Sequence, residues 1–366
     1  MNRPLALRVI SRAGAPVLAL SLLAGCGTAT RDVQSPPVAA ATVPSARLAP
    51  DVEASLVALV RYRPGADRAP FHEVDLSVRQ SLADEPSREA MARRIEALFP
   101  RAASIEASRH LLRHLATIGS EGSVPLALSL ALDPAFGEEA RFVLERCRGP
   151  LADAALREAL AASHGVQRVG LANSVGARRD EAALDLLEGL APLPGEEGRA
   201  ALAAMGRIGT LRSVAALVAL VGSGVDEAAL ADALVDGGMS LLRAGRREEA
   251  SGAFEAALAL GGAPAAARIA ALGGLLDSDP ARGVEALVSS LASNEPAPGM
   301  IAVGLARSAS ARGIDEALAG ALPAADAQAK AAILAVLADR GAASQLGAIR
   351  AVLEGSATGP EAAAAA

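Results

Sequence analysis

The residues best suited to metal chemistry are His110 and His114, which stand four positions apart in a stretch with helical periodicity. Side chains at this spacing share one face of a helix, and Glu106 lies one turn further back on that face, so the three could ligate a metal together. The stretch lacks the glutamate of the His-Glu-x-x-His zinc motif, and neighbouring leucines supply the buried stripe. We therefore expect the histidines to face solvent or a groove and predict no metal or other cofactor. Metal binding by His110 and His114 is the alternative.

A second candidate for chemistry is Cys147, which lies between Arg146 and Arg148. Nearby cations can lower the pKa of a thiol and make it reactive. The cysteine also belongs to an apolar stripe at helical spacing, which indicates burial. That stripe consists of Ala140, Val143, Leu144 and Cys147. We predict a buried structural cysteine, and a metal or redox module that uses His110, His114 and Cys147 is one alternative function.

The remaining composition argues against catalysis and against nucleic acid as a partner. No Gly-rich phosphate loop, nucleophile elbow or paired-carboxylate motif occurs in the 366 residues. The formal net charge is -6, which disfavours a nucleic-acid partner. Aromatic residues make up only 2% of the chain, so few side chains are available to stack on a small molecule. We predict no catalytic residues and no enzymatic activity.

The N-terminus has the organisation of an export signal. A segment with three arginines precedes an apolar run over residues 13–23, which ends in Leu23-Ala-Gly-Cys26. The run of about 11 residues is shorter than the roughly 20 that a membrane-spanning helix needs. The ending resembles the lipobox of bacterial lipoproteins, although a cleavage site with an incidental cysteine is the alternative.

The lipobox resemblance implies a defined anchor. Residues 1–25 would be a signal peptide, cleaved between Gly25 and Cys26, and Cys26 would carry the acyl chains that attach the protein to a membrane. Gly27, in place of Asp, resembles the outer-membrane sorting pattern of hosts with two membranes. The expected location is therefore the cell envelope, on the periplasmic face of the outer membrane in such hosts.

Two segments of the chain have little capacity to fold. Residues 26–50 contain four prolines among small residues and predict a flexible tether. Residues 356–366 form an Ala-rich tail that we predict to be disordered.

The body between these segments repeats one local pattern about every 30 residues. In each copy a glycine, suited to end one helix in a left-handed conformation, precedes by four residues a Ser or Asp suited to cap the next helix. A leucine follows each cap by seven residues, which predicts a common core-facing stripe. The turns are Gly119–Ser123, Gly149–Asp153, Gly176–Asp180 and Gly209–Ser213, and the leucines are Leu130, Leu160, Leu187 and Leu220.

Weaker copies of the turn continue along the chain, near Gly245, Asp277, Ala309 and Gly341. Two helices of about 12 residues and two turns fill such a period. Each helix pair alone would expose an apolar face, so neighbouring pairs must stack. The sequence therefore predicts an all-α solenoid of antiparallel helix pairs.

The repeats are similar to a known family. Residues 169–183, 202–209 and, more loosely, 334–341 resemble the short bacterial HEAT-like repeats. The resemblance implies a right-handed α-solenoid over residues 90–355, with residues 51–89 as a helical N-terminal cap. Residues 231–258 resemble a single tetratricopeptide hairpin, although a drifted HEAT pair with a longer second helix explains them equally well.

These observations favour a lipid-anchored, non-enzymatic scaffold for protein–protein interaction in the bacterial cell envelope. The expected partner is a protein bound on the concave solenoid surface, with the membrane contacted through Cys26. The HEAT-like resemblance implies one alternative, an enzyme or an accessory subunit of an envelope enzyme. The metal or redox module is the other.

Overall fold

The computed structural model describes residues 48–291, 296–309, 313–347, 349–350 and 354, and all of these belong to one compact unit. The predicted signal peptide, Cys26, the tether up to residue 47 and the tail over 356–366 lie outside the described residues and stay predictions.

The described part of the chain contains 18 α-helices, four short 3-10 helices and no strand. The predicted all-α class is confirmed. In these residues no helix has the length and apolar character needed to cross a membrane. The helices are α1 (Pro50–Val60), α2 (Ala69–Ser81), α3 (Glu85–Leu98), α4 (Ile105–Ile118), α5 (Val124–Leu130), α6 (Gly137–Arg146), α7 (Pro150–Ala162), α8 (Gly165–Arg178), α9 (Leu184–Leu190), α10 (Glu196–Ile208), α11 (Leu211–Ala219), α12 (Glu227–Arg243), α13 (Arg247–Ala259), α14 (Ala265–Ser278), α15 (Pro280–Leu291), α16 (Pro296–Ser308), α17 (Ile314–Ala321) and α18 (Ala327–Asp339).

From α4 onward the helices alternate between two layers. The even-numbered helices α4 to α18, here called the first layer, each pack against the next even-numbered helix. The odd-numbered helices form the second layer, in which α5 contacts α7, α11 contacts α13 and α15 contacts α17. Short connections between packed neighbours force the chain to reverse, so consecutive helices run antiparallel. This layered succession is the arrangement that an α-solenoid requires.

All eight turn positions identified in the sequence mark the C-terminal ends of first-layer helices. Gly209, for example, follows α10 directly and has a φ of 60°, the left-handed conformation expected there. The four leucines predicted to face the core do so. Leu160 and Leu187 are buried, and Leu130 and Leu220 are half-buried and pack against the same core.

The local chemistry of the other strong turns differs in part from the prediction. Gly176 lies inside α8, and Arg179 takes the left-handed position instead, while Gly119 is extended. Of the predicted caps, Asp180 accepts a hydrogen bond from the Ala182 backbone as expected.

The other three predicted caps are wrong. Ser123 and Ser213 lie within the first turn, and Ser120 and Thr210 cap in their place. Asp153 lies inside α7, which begins at Pro150 because proline already has the φ angle of a first helical turn.

Successive first-layer helices approach until their backbones are in contact. A Cβ atom added to Gly176 would lie 2.7 Å from the Cα atom of Ala204 on α10. One added to Gly206 would lie 2.6 Å from the carbonyl oxygen of Ala233 on α12. The small residues are therefore required where the helices cross.

Arginine side chains join successive units in a repeated pattern. Arg178, which ends α8, donates to the carbonyl oxygens of Leu144 and Cys147, 34 and 31 residues earlier, and pairs with Asp153, 25 residues earlier. These carbonyls belong to the C-terminal end of α6, so the guanidinium caps the preceding first-layer helix.

The same pattern recurs near the end of the array. Arg340 donates to the carbonyl oxygens of Ala306 and Ala309 and pairs with Asp315, again 34, 31 and 25 residues earlier. Two units that lie far apart in the chain therefore form the same long-range contacts at the same sequence separations.

The pair formed by α12 and α13 covers the predicted hairpin over residues 231–258. Its turn contains Gly245, with a φ of 78°. Phe254 on α13 is fully buried between Gly238 on α12 and Gly274 on α14, where added Cβ atoms would lie 2.7 and 2.4 Å from the ring. At the other end, α1, α2 and α3 occupy the region of the predicted N-terminal cap, and α3 runs across residue 90.

We predict opposite effects for two glycine-to-alanine substitutions. Gly206→Ala should lower the free energy of unfolding by about 1–3 kcal/mol, because the new methyl group overpacks the α10–α12 contact. Gly252→Ala is the matched control, because that glycine is helical and has no atom within 4 Å of the added Cβ. It should raise stability by about 0.5–1 kcal/mol through helix propensity. Urea denaturation followed by circular dichroism measures both, and shifts of the same sign would contradict the backbone contact.

Candidate functional site

One cluster of potential metal ligands stands out in the described residues. It consists of Asp75 on α2 and His110 and His114 on α4. The Asp75 Oδ1 atom lies 2.9 Å from His110 Nε2 and 3.0 Å from His114 Nε2, and the two Nε2 atoms are 3.1 Å apart. Three donor atoms therefore form a nearly equilateral triangle.

The packing of α4 against α2 creates this triangle. Leucines of α4, including Leu111 and Leu115, are buried in the core and fix the rotation of the helix. His110 and His114 lie one turn apart beside this stripe, and the facing turn of α2 presents Phe71 to the His110 ring and Asp75 to both histidines.

The histidines are largely buried, with side chains 15% and 14% exposed, and Asp75 is 33% exposed. Burial lowers the pKa of His110 below its ordinary value, against the opposing charge of Asp75. Burial, reinforced by the neighbouring His110, lowers the pKa of His114 to about 4. Both imidazoles are therefore neutral near pH 7, the form in which histidine binds metals.

Aromatic side chains from α2 and from the loop after α1 pack beside the cluster. The Phe71 ring lies edge-on to His110 at 4.8 Å and to Tyr62 at 4.7 Å between centroids. A hydrogen bond that the His110 ring donates to the Phe71 backbone carbonyl also opposes the lowering of the His110 pKa. Outer contacts of this kind hold the ring of a ligating histidine in one orientation.

Glu106, placed on the histidine face by its spacing, is occupied elsewhere. Its Oε1 atom lies 2.5 Å from the Arg68 guanidinium, which in turn lies over the Phe71 ring at 4.7 Å. Asp75, which is 35 residues from His110, provides the nearby carboxylate instead. The histidines, expected to face solvent or a groove, lie between α4 and α2 and keep only a small exposed fraction.

Cys147 is not part of this cluster. The thiol is 1% exposed at the C-terminal end of α6, and its sulfur donates to the Ser120 carbonyl oxygen over 3.3 Å. Burial raises its pKa to about 11, although Arg178 opposes the shift. The adjacent Arg146 and Arg148 are exposed. The predicted buried cysteine is therefore present, and the three residues of the redox alternative do not come together.

Two grooves lie at the C-terminal ends of first-layer helices. The first, of about 670 Å³, includes Arg146 and Arg148 at the end of α6, and the second, of about 260 Å³, includes Arg179, Arg207 and Arg243 at the ends of α8, α10 and α12. These five arginines are exposed, and among the described residues none has a carboxylate within salt-bridge distance. Carboxylates also line both grooves, Glu85 and Glu121 in the first and Asp236 in the second, so the excess of positive charge is larger in the second groove, beside the negative ends of helix dipoles.

Burial predicts that Cys147 is unreactive in the folded protein. In a Cys26→Ser variant, where Cys147 is the only thiol, a pKa of about 11 leaves roughly one thiol in a thousand ionised at about pH 8. Labelling with iodoacetamide should be slow in buffer and fast in concentrated guanidinium chloride. Substitution of Arg146 and Arg148 by Ala should leave the native rate unchanged. Rapid native labelling that these substitutions abolish would instead indicate a cation-activated thiol.

Comparison with known proteins does not assign a function to these residues. The sequence matches no family model, and it matches no curated protein. What the Asp75, His110 and His114 cluster can do follows from its donor atoms, two neutral imidazole nitrogens and one carboxylate oxygen held about 3 Å apart on two packed helices.

Proposed function

We propose that this chain is a lipid-anchored, non-enzymatic scaffold of the bacterial cell envelope that binds another protein. The Leu23-Ala-Gly-Cys26 ending and the tether after it support an anchored body held away from the membrane. The layered helices support binding, because stacked helix pairs provide an extended surface without requiring a deep pocket. The expected location is the periplasmic face of the outer membrane in hosts that have one.

The observation that carries the proposal is the row of exposed arginines at one edge of the first layer. Arg179, Arg207 and Arg243 come from three successive first-layer helices and line one groove. Such a row fits a partner with an acidic segment that runs across the helix ends, because the three arginines outnumber the one carboxylate of the groove, Asp236, and form no salt bridge within the described chain. The chain as a whole carries a net charge of -6, so the positive edge is a local feature.

The HEAT-like resemblance of residues 169–183 and 202–209 agrees with this function. Repeat arrays of this kind use one helix of each pair to line a binding surface. If the bound protein is an envelope enzyme, the chain is its accessory subunit.

The anchor is tested by a single substitution. Cys26→Ser should move the protein from the membrane fraction to the soluble fraction, because it removes the site of acylation and no described helix can span the bilayer. Cys147→Ser is the matched control, since it removes the other cysteine and should leave the protein in the membrane fraction. Fractionation followed by immunoblotting distinguishes the two. Membrane retention of Cys26→Ser would contradict the lipobox assignment.

The partner surface is tested by charge reversal in the lipidated full-length protein. Cross-linking in the native envelope, followed by purification, should recover a defined partner with the unmodified chain. Replacement of Arg179, Arg207 and Arg243 by Glu should lower its recovery by roughly tenfold or more, because like charges then face the acidic segment. Added salt should also lower recovery.

A second triple variant controls for net charge. Arg61, Arg63 and Arg79 are exposed, lie outside both grooves and have no salt bridge among the described residues. Their replacement by Glu should leave recovery unchanged. Equal losses in both variants would contradict the groove as the contact, and the absence of any cross-linked protein would contradict the scaffold.

A further inference from the structure

The geometry of Asp75, His110 and His114 points to a function independent of the proposed scaffold. We propose that these residues bind one divalent transition-metal ion, with Zn²⁺ as the best-fitting ion, and that the ion fastens α2 to α4 at the N-terminal end of the helical array.

The spacing of the three donor atoms fits a common ion. Their separations of 2.9, 3.0 and 3.1 Å define a triangle small enough for one ion to contact all three corners. With bonds of about 2.0–2.1 Å, the ion would lie about 1 Å above the plane of the triangle, with ligand–metal–ligand angles of about 90–95°. The opposite side of the ion remains open for water.

The donor types select the class of ion. Imidazole nitrogens suit Zn²⁺ and the neighbouring first-row ions, whereas Ca²⁺ and Mg²⁺ prefer sites made wholly of oxygen. The carboxylate supplies a negative charge that offsets part of the charge of the ion.

The frame around the cluster is rigid enough to hold this geometry. All three ligands project from the interiors of α2 and α4, which are packed against each other. Phe71 contacts His110 through its ring, and its backbone carbonyl accepts a hydrogen bond from the same imidazole. Glu106 pairs with Arg68 and is not part of the cluster.

A purely hydrogen-bonded cluster is the competing explanation. In that arrangement the Nε2–H of one ring donates to the Nε2 lone pair of the other over 3.1 Å or to the Asp75 carboxylate, according to the tautomer of each ring. A bound ion instead requires a lone pair on both Nε2 atoms. The two explanations differ in their response to added metal, which makes them separable.

The test uses the full-length protein, purified in detergent without a histidine tag and treated with a chelator. Addition of Zn²⁺ should give saturable one-site heat in calorimetry and raise the melting temperature by roughly 5 °C at a hundredfold excess over the dissociation constant. Co²⁺ should produce visible absorption bands that saturate at one ion per chain. Mg²⁺ should do neither.

Three variants make the result specific. His114→Gln and Asp75→Asn retain hydrogen-bonding groups but remove a ligand, and each should weaken Zn²⁺ binding more than about 100-fold, beyond the usual cost of losing an outer-shell partner. His72→Gln is the matched control, because His72 is exposed on α2 outside the cluster, and it should bind as the unmodified chain does. Circular dichroism confirms that the variants are folded.

Several outcomes would overturn the proposal. One is the absence of heat, spectral bands and thermal shift with Zn²⁺ and Co²⁺ in the unmodified chain, which would leave the hydrogen-bonded cluster as the explanation. Another is retained binding in both folded ligand variants, or an equal loss in His72→Gln. Partner cross-linking through the arginine groove is unaffected by any of these results, so failure here and failure of the scaffold proposal are distinguishable.

Discussion

Successive first-layer helices lie so close that backbone atoms meet at their crossings, and most of the composition follows from that spacing. Gly176 lies against the Cα atom of Ala204, and Gly206 against the backbone of Ala233, where even one added methyl group would overlap. Helices packed at this distance leave a thin interior that Ala, Leu and Val fill. The scarcity of aromatic residues agrees with this close packing.

Three of the six aromatic side chains lie at two places in the array that differ from the regular crossings. Phe254 occupies the space between two glycines on α12 and α14, which is the only position of the second half of the array with a described aromatic ring. Tyr62 and Phe71 lie at the N-terminal end, where α1 and α2 precede the regular alternation. The same irregular end holds the histidine cluster, because there α2 meets α4 and brings a carboxylate across from another helix.

Arginine side chains donate hydrogen bonds to backbone carbonyl groups that have no partner within their own helix. A helix ends with carbonyl groups that lack partners within the helix, and a stacked array repeats this deficit in every unit. Arg178 and Arg340 each satisfy such groups on the preceding first-layer helix and pair with an aspartate of the intervening second-layer helix. Where the arginine of a helix end forms no salt bridge among the described residues, as at Arg179, Arg207 and Arg243, its charge is available at the surface. The arginines of the proposed binding edge thus lie, like Arg178 and Arg340, at the ends of first-layer helices.

The sequence by itself determined the features that depend on neighbours in the chain. Turn residues and apolar spacing act over a few positions, so the all-α class, the eight helix ends and the burial of Cys147 could be predicted. The residue that caps each helix was not fixed by local sequence, because a candidate cap can bind another partner. Asp153, for example, pairs with Arg178 instead of accepting a hydrogen bond from the backbone of α7. Tertiary structure alone brought Asp75 to His110 and His114 and withdrew Glu106 to Arg68. Such pairings depend on how two helices rotate as they pack, and that rotation is set by the whole core rather than by any local pattern.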